Sequence, residues 1–368
     1  LDNGNQQFNI AYDHDAGRAY VDLYGDPLEI AVVDLDAMTV VDTITDDSAI
    51  FAGVLAVRST TNELLVLLDE GGGTTVLGRF DLATGDRLAD VATTQALDYA
   101  ESSSLALDPT QSALFIAGGD VVERIALDNG TTTSATIDEA DVGVDAADFV
   151  EAVASPDGAH VYFLSATNGY HIRIVKIATG DLADRSMATL VEDFESADYG
   201  PPTVAISPDG SMLYALTYDY EDCGCNNRIV VVDTSTMMRT DSIDVYPTSS
   251  EFDYETLAVS PDGATGYVIN ADPGFVSTFN ARTSWTTTDI VGFDVLGDST
   301  WASADQIACN AAGACLAAGT YDDLHGIRQV FISRSHNGVW TAAEPIPALI
   351  TLNTGDEEGG FASVVDMD

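Results

Sequence analysis

The sequence predicts an all-β protein, a seven-bladed β-propeller of four-stranded antiparallel blades. Three observations carry that expectation. The turn Ser-Pro-Asp-Gly occurs at Ser155, Ser207 and Ser260, at spacings of 52 and 53 residues. The runs between the turns have strand length and are rich in β-branched and aromatic residues, bounded by Gly, Pro, Asp and Asn. No sustained helical period with caps interrupts them. With 46% apolar residues over 368 positions, the chain can pack a large core.

The period extends beyond the three clear copies. Degraded versions stand earlier as "IAYDHDAGRAYVDL" near Asp13, "LAVRSTTNELLVLL" near Ser59 and "LALDPTQSALFIAG" near Asp108, and later as "QIACNAAGACLAAG" near Asn310. The units so marked run approximately over 8–47, 53–92, 103–138, 149–190, 201–245, 254–290 and 299–349, one domain over the whole chain. Each repeats one grammar. A first run such as "TVAIS" leads into a turn, then "MLYALTY", a variable loop, "RIVVVDTST", a second turn, and a more polar strand such as "RTDSIDV". A lone four-stranded sheet leaves apolar faces open, and radial stacking of seven covers them. The polar fourth strand suits the outer rim. The tail 350–368, with "GGFASVVDMD", reads as one more strand, closing the ring or starting a further segment.

The stretch "VAISPDGSMLYALT…NRIVVVDTSTMMRTDSIDV" resembles the YVTN-type propeller repeat of bacterial and archaeal surface-layer-like proteins. The resemblance is clear over 149–190, 201–245 and 254–290 and weaker elsewhere. Its defining residues are structural, so it implies a fold and leaves function open. Relatives of this type include lactonases, lyases, haem- or quinone-dependent subunits and plain binding scaffolds. The last unit departs from the pattern. "ISRSHNGVW" resembles a degraded Asp-box hairpin, with Ser333 and Trp340 in place and Ser335 and Asn337 replacing its Asp and Gly.

Composition narrows the partners. Sixty acidic residues face thirteen basic ones for a net charge of −47, and lysine occurs once, at Lys176. Such a field repels phosphate backbones, which excludes nucleic acid. It suits solubility in salt, and it would attract divalent cations. No apolar run has the length of a membrane span.

The repeated turns have a local explanation. Proline fixes φ, the aspartate caps nearby backbone and glycine permits positive φ, so a serine nucleophile is not needed to account for them. Asp34, Asp81, Asp128 and Asp233 recur after third strands of different blades and read as turn caps, too far apart to share an ion. No catalytic residue, covalent haem motif, nucleotide loop or metalloprotease motif is identified.

Four cysteines form two close pairs. Cys309 and Cys315 flank "NAAGA" between two apolar runs, and a hairpin there would bring them face to face as a disulfide, with buried free thiols as the alternative. Cys223 and Cys225 lie in the loop "DYEDCGCNNR". They read as a loop-stiffening disulfide, a zinc, copper or redox site, or free thiols. A disulfide implies an exported, extracellular, periplasmic or cell-surface protein.

The end of each blade opposite the repeated turns carries variable acidic and aromatic loops, where propellers bind ligands. Glu101, Glu151 and Glu255 each fall just before a first strand, and His171 and His325 sit between second and third strands at that end. A ring of those carboxylates would attract Ca2+ or a cationic ligand. The expectation is an exported binding module, monomeric or part of a longer surface protein, meeting a protein, glycan or small ligand at its acidic loop face. The alternative is a lactonase- or lyase-like enzyme using the same end.

Overall fold

The computed structural model describes residues 6–13, 16–23, 28–49, 51–69, 75–93, 104–118, 121–137, 149–167, 171–191, 203–219, 226–245, 254–270, 275–280, 284–288, 302–309, 314–322, 328–336, 339–346 and 360–364. Apart from one 3-10 turn at Ser59–Thr61, every regular element among them is a strand.

The first sheet holds β1 (Gln6–Asp13), β2 (Arg18–Asp22), β3 (Leu28–Asp34) and β4 (Thr39–Asp46) in chain order. The second holds β5 (Phe51–Arg58), β6 (Glu63–Asp69), β7 (Thr75–Asp81) and β8 (Val91–Ala92). The third is β9 (Ser104–Leu107), β10 (Ala113–Gly118), β11 (Val121–Ala126) and β12 (Thr131–Thr136). The fourth is β13 (Phe149–Ala154), β14 (His160–Thr167), β15 (His171–Ala178) and β16 (Asp181–Val191). The fifth is β17 (Val204–Ile206), β18 (Met212–Asp219), β19 (Asn226–Asp233) and β20 (Met238–Val245). The sixth is β21 (Tyr254–Val259), β22 (Thr265–Asn270), β23 (Phe275–Asn280) and β24 (Ser284–Thr288). The seventh is β25 (Ala302–Cys309), β26 (Ala314–Asp322), β27 (Arg328–His336) and β28 (Val339–Trp340), with β29 (Glu344–Pro345) also on β27. A further strand, β30 (Gly360–Val364), pairs in parallel with β1 from Gln6↔Gly360 to Ile10↔Val364.

Seven four-stranded meanders of one topology make this a seven-bladed β-propeller, as the repeat predicts. The contacts group into two units, Leu1–Ala92 with Ile269–Ser277 and Thr287–Asp368, and Thr93–Val268 with Thr278–Thr286.

In the first unit, Tyr20, Ile30 and Val32 pack against Leu64, Val66, Leu68 and Phe80 of the second sheet. The other face of the first sheet places Ile10, Val21 and Val33 against Leu316, Ala318 and Ile332 of the seventh. Adjacent residues of one strand thus enter different interfaces, which is why the strands read as continuous apolar runs. In the second unit the stack repeats. Phe115 and Val122 meet Phe149, Phe163 and Ile177. Leu164 and Ile174 meet Leu213, Ala215 and Val230. Leu216 and Ile229 meet Leu257, Val268 and Phe279. Gly266 is small because the Phe279 ring occupies the space of a side chain, within 1.9 Å of where its Cβ would stand.

Candidate functional site

The two ends of each blade differ in how their polar groups are used. At the Ser-Pro-Asp-Gly end, the groups satisfy one another. Ser155 Oγ donates to Asp157 Oδ1 at 2.6 Å and accepts the His160 amide at 2.9 Å, while Gly158 N–H donates to the Ser155 carbonyl at 2.8 Å. Ser207 and Ser260 repeat this arrangement. The serine hydroxyls are spent in the turn. Hydrogen bonds from Ser207, then from the Ser211 amide and hydroxyl, hold the Asp209 carboxyl down to about 2, and Asp157 and Asp262 are lowered for the same reason. Asp34, Asp81 and Asp233 likewise accept backbone amides two or three residues on, as turn caps do.

The opposite end is where the sequence places its candidate residues. His171 is the first residue of β15, its Cα opposite Thr167. Glu151 lies within β13 and Glu255 within β21, so the first strands start earlier than the sequence suggests. Glu101, His325, Cys223 and Cys225 lie outside the described residues. Cys309 and Cys315 are directly opposed across β25 and β26 and are disulfide-bonded, with an S–S distance of 2.14 Å.

Register changes how the carboxylates relate. Counted back from the first turn, Glu151 stands four residues before Ser155, whereas Glu255 stands five before Ser260. They occupy different levels of the repeat. The level of Glu151 has its own pattern, visible by aligning the first turns: Asn9 in "NIAYD", Val54 in "VLAVR", Ser104 in "SLALD", Glu151 in "EAVAS", Thr203 in "TVAIS", Thr256 in "TLAVS" and Gln306 in "QIACN". Six of these seven residues are polar, each followed by a largely apolar run toward the first turn. Glu151 is the one ionisable member. The signal was available to sequence reading, but a polar residue ahead of an apolar run resembles the end of a loop.

Four members of this level belong to the second unit, on strands or strand starts that lie side by side: β9, β13, β17 and β21 are neighbours in turn. Ser104 and Thr203 are each 3% exposed, and the Thr203 hydroxyl stands beside the Glu151 carboxyl. Glu151 and Thr256 are half-buried. The Glu151 carboxyl reaches the next blade, where Val204 N–H donates to its Oε2 at 2.5 Å. Withdrawal of that carboxyl from water pushes its pKa up to about 7, against the smaller opposing pull of the neighbouring Thr203 hydroxyl and Val204 amide. Among the described residues, no group of three or more His, Cys, Asp and Glu side chains is placed to hold a metal ion.

Comparison with known proteins supports the fold. The chain resembles hydrazine synthase of Kuenenia stuttgartiensis, at 14% identity and a TM-score of 0.53, covering 83% of this chain and 79% of that one. It also resembles the Cps50 (Swd1) β-propeller domain of Myceliophteria thermophila, at 14% identity and a TM-score of 0.51, covering 78% and 85%. At that identity the likeness is one of fold. No protein-family model and no curated protein matches the sequence.

Proposed function

We infer that the protein is an exported or cell-surface binding module that takes an uncharged, hydroxyl-rich ligand of the glycan class at the end opposite the Ser-Pro-Asp-Gly turns. The observation that carries this reading is the polar level Ser104, Glu151, Thr203 and Thr256 on the neighbouring first strands of the second unit. Hydroxyl side chains both donate and accept, which matches ligand hydroxyl groups. A carboxyl already penalised for ionising is a poor start for a Ca2+ cage, which draws on ionised oxygen ligands. The disulfide between Cys309 and Cys315 supports an oxidising compartment. No helix among the described residues is long and apolar enough to cross a membrane.

A glycan array probed with the wild-type chain, Thr203→Val, Ser104→Ala and the turn variant Asp209→Asn tests the reading. Thr203→Val and Ser104→Ala keep size and burial while removing hydroxyls, so each is expected to weaken retention about tenfold, the order of one or two lost hydrogen bonds. Asp209→Asn leaves retention unchanged. Retention lost in the turn variant alone, or no glycan retained by the wild type, overturns it.

A further inference from the structure

The Glu151 contact joins two blades at their inner edge, and that geometry has a consequence independent of any ligand. We propose that Glu151 is a proton-operated clasp between the fourth and fifth blades, closed when its carboxyl is neutral and loosened when it ionises.

The clasp rests first on placement. Glu151 stands on β13 opposite Leu164, whose side chain belongs to the apolar interface with Val204, Leu213, Ala215 and Val230. Its carboxyl therefore sits at the rim of that interface and takes up an amide of β17 there. Val204 pairs with Ala215 on its other side, so the contact ties the free edge of one first strand to the next. In the neutral state the carboxyl accepts the Val204 amide and retains a hydroxyl to offer Thr203, and no charge is buried. On ionisation the Thr203 hydroxyl and the Val204 amide both favour the carboxylate, but together they do not make good its lost hydration, so the carboxylate is drawn toward water and away from the amide. The inner edge must then admit water.

Among the described residues, few other charges act on it. On the elements packed against β13, the titratable side chains are His160 and Tyr162 of β14, both at the turn end, and β9, β10 and β17 carry none. The rise of Glu151 has burial as its leading cause, and no charge among the described residues contributes to it. The acidic residues Glu192, Asp193, Glu195 and Asp198 precede β17 in sequence and lie outside the described residues.

The sign follows from linkage. The folded chain holds this proton more tightly than the unfolded chain, so the contribution of Glu151 is intact in acid and lost as pH rises from about 4.5 through about 7. Carbon-13 NMR of the Glu151 carboxyl, assigned through its own backbone in the wild-type chain, reads the titration without any variant. Amide exchange at Val204 reads the clasp. The expected result is a carboxyl midpoint near neutrality, with Val204 protection falling several-fold between pH 6 and pH 8 in the wild type. In Glu151→Gln, which keeps an acceptor and cannot ionise, protection stays level. A midpoint in the ordinary carboxylate range, or the same fall in protection in Glu151→Gln, overturns the proposal.

Discussion

Gly210 shows how much of this fold is specified one residue at a time. Its φ is +71°, and a Cβ there would stand 3.4 Å from Pro156 Cδ of the preceding blade's turn. Gly158 and Gly263 repeat the arrangement against Pro109 and Pro208, at 3.7 and 3.5 Å. The turns are thus packed against one another, and Pro and Gly are matched between blades as well as within each turn. Gly180, in the second turn of the fourth blade, has no positive φ and open space around it. Gly210→Ala is expected to lose about 1–2 kcal/mol in urea unfolding from the left-handed backbone. Gly180→Ala should be neutral, or gain up to about 1 kcal/mol by restricting the unfolded chain. Equal losses at the two sites would show that backbone conformation is not what the turn glycine supplies. Elsewhere the left-handed position is filled against local preference. Met38 and Met237 adopt φ of 52° and 51°, and Met237 is 8% exposed within the interface of the fourth and fifth blades. Burial of its side chain offsets a backbone cost that Gly would avoid.

At the scale of strands and hairpins, the sequence was most legible where two signals coincided. Apolar runs bounded by Ser-Pro-Asp-Gly placed β13–β14, β17–β18 and β21–β22, because the turn chemistry and the strand composition agree. The strand beginnings were less legible. Glu151 and Glu255 read as residues just ahead of a strand, yet they fall inside β13 and β21, and β14 extends far enough to place Leu164 opposite Glu151. That misplacement also hid the polar level of Ser104, Glu151 and Thr203, which alignment of the first turns brings out but which resembles loop ends when each run is read alone. The Cys309–Cys315 pair was legible for the opposite reason. Six positions apart and flanked by strand-like runs, the two residues are directly opposed in the simplest hairpin. Closing so short a loop is expected to contribute about 2 kcal/mol through the unfolded state. The double variant Cys309→Ser, Cys315→Ser should lose that much, with amide protection falling in β25 and β26 and unchanged in β13–β16. A loss of protection spread evenly over all the sheets would assign the bond a global role instead.

For the molecule as a whole, charge is the dominant long-range term. A net charge of −47 over 368 residues means that most acidic groups have no cation to meet, since only thirteen are available. Several of the described cations are committed to particular partners. Arg79 and Arg58 surround Glu63, with Arg79 at 2.7 Å, and Arg87 joins Asp46 to Asp90. Lys176 reaches the Thr234 carbonyl of the next blade at 2.8 Å. What is left is mutual repulsion among carboxylates, which opposes the compact state and relaxes on unfolding. Screening acts on it over a distance of about 10 Å at 0.1 M salt and about 3 Å at 1 M. Thermal stability should therefore climb with sodium chloride between about 0.05 and 0.5 M, and flatten once the screening length falls below the spacing of surface charges. Potassium chloride should give the same curve, because screening depends on ionic strength and not on the identity of the ion. A calcium-specific rise at matched ionic strength would place the stabilising charge at a discrete cation site, and a flat response to salt would remove repulsion from the account altogether.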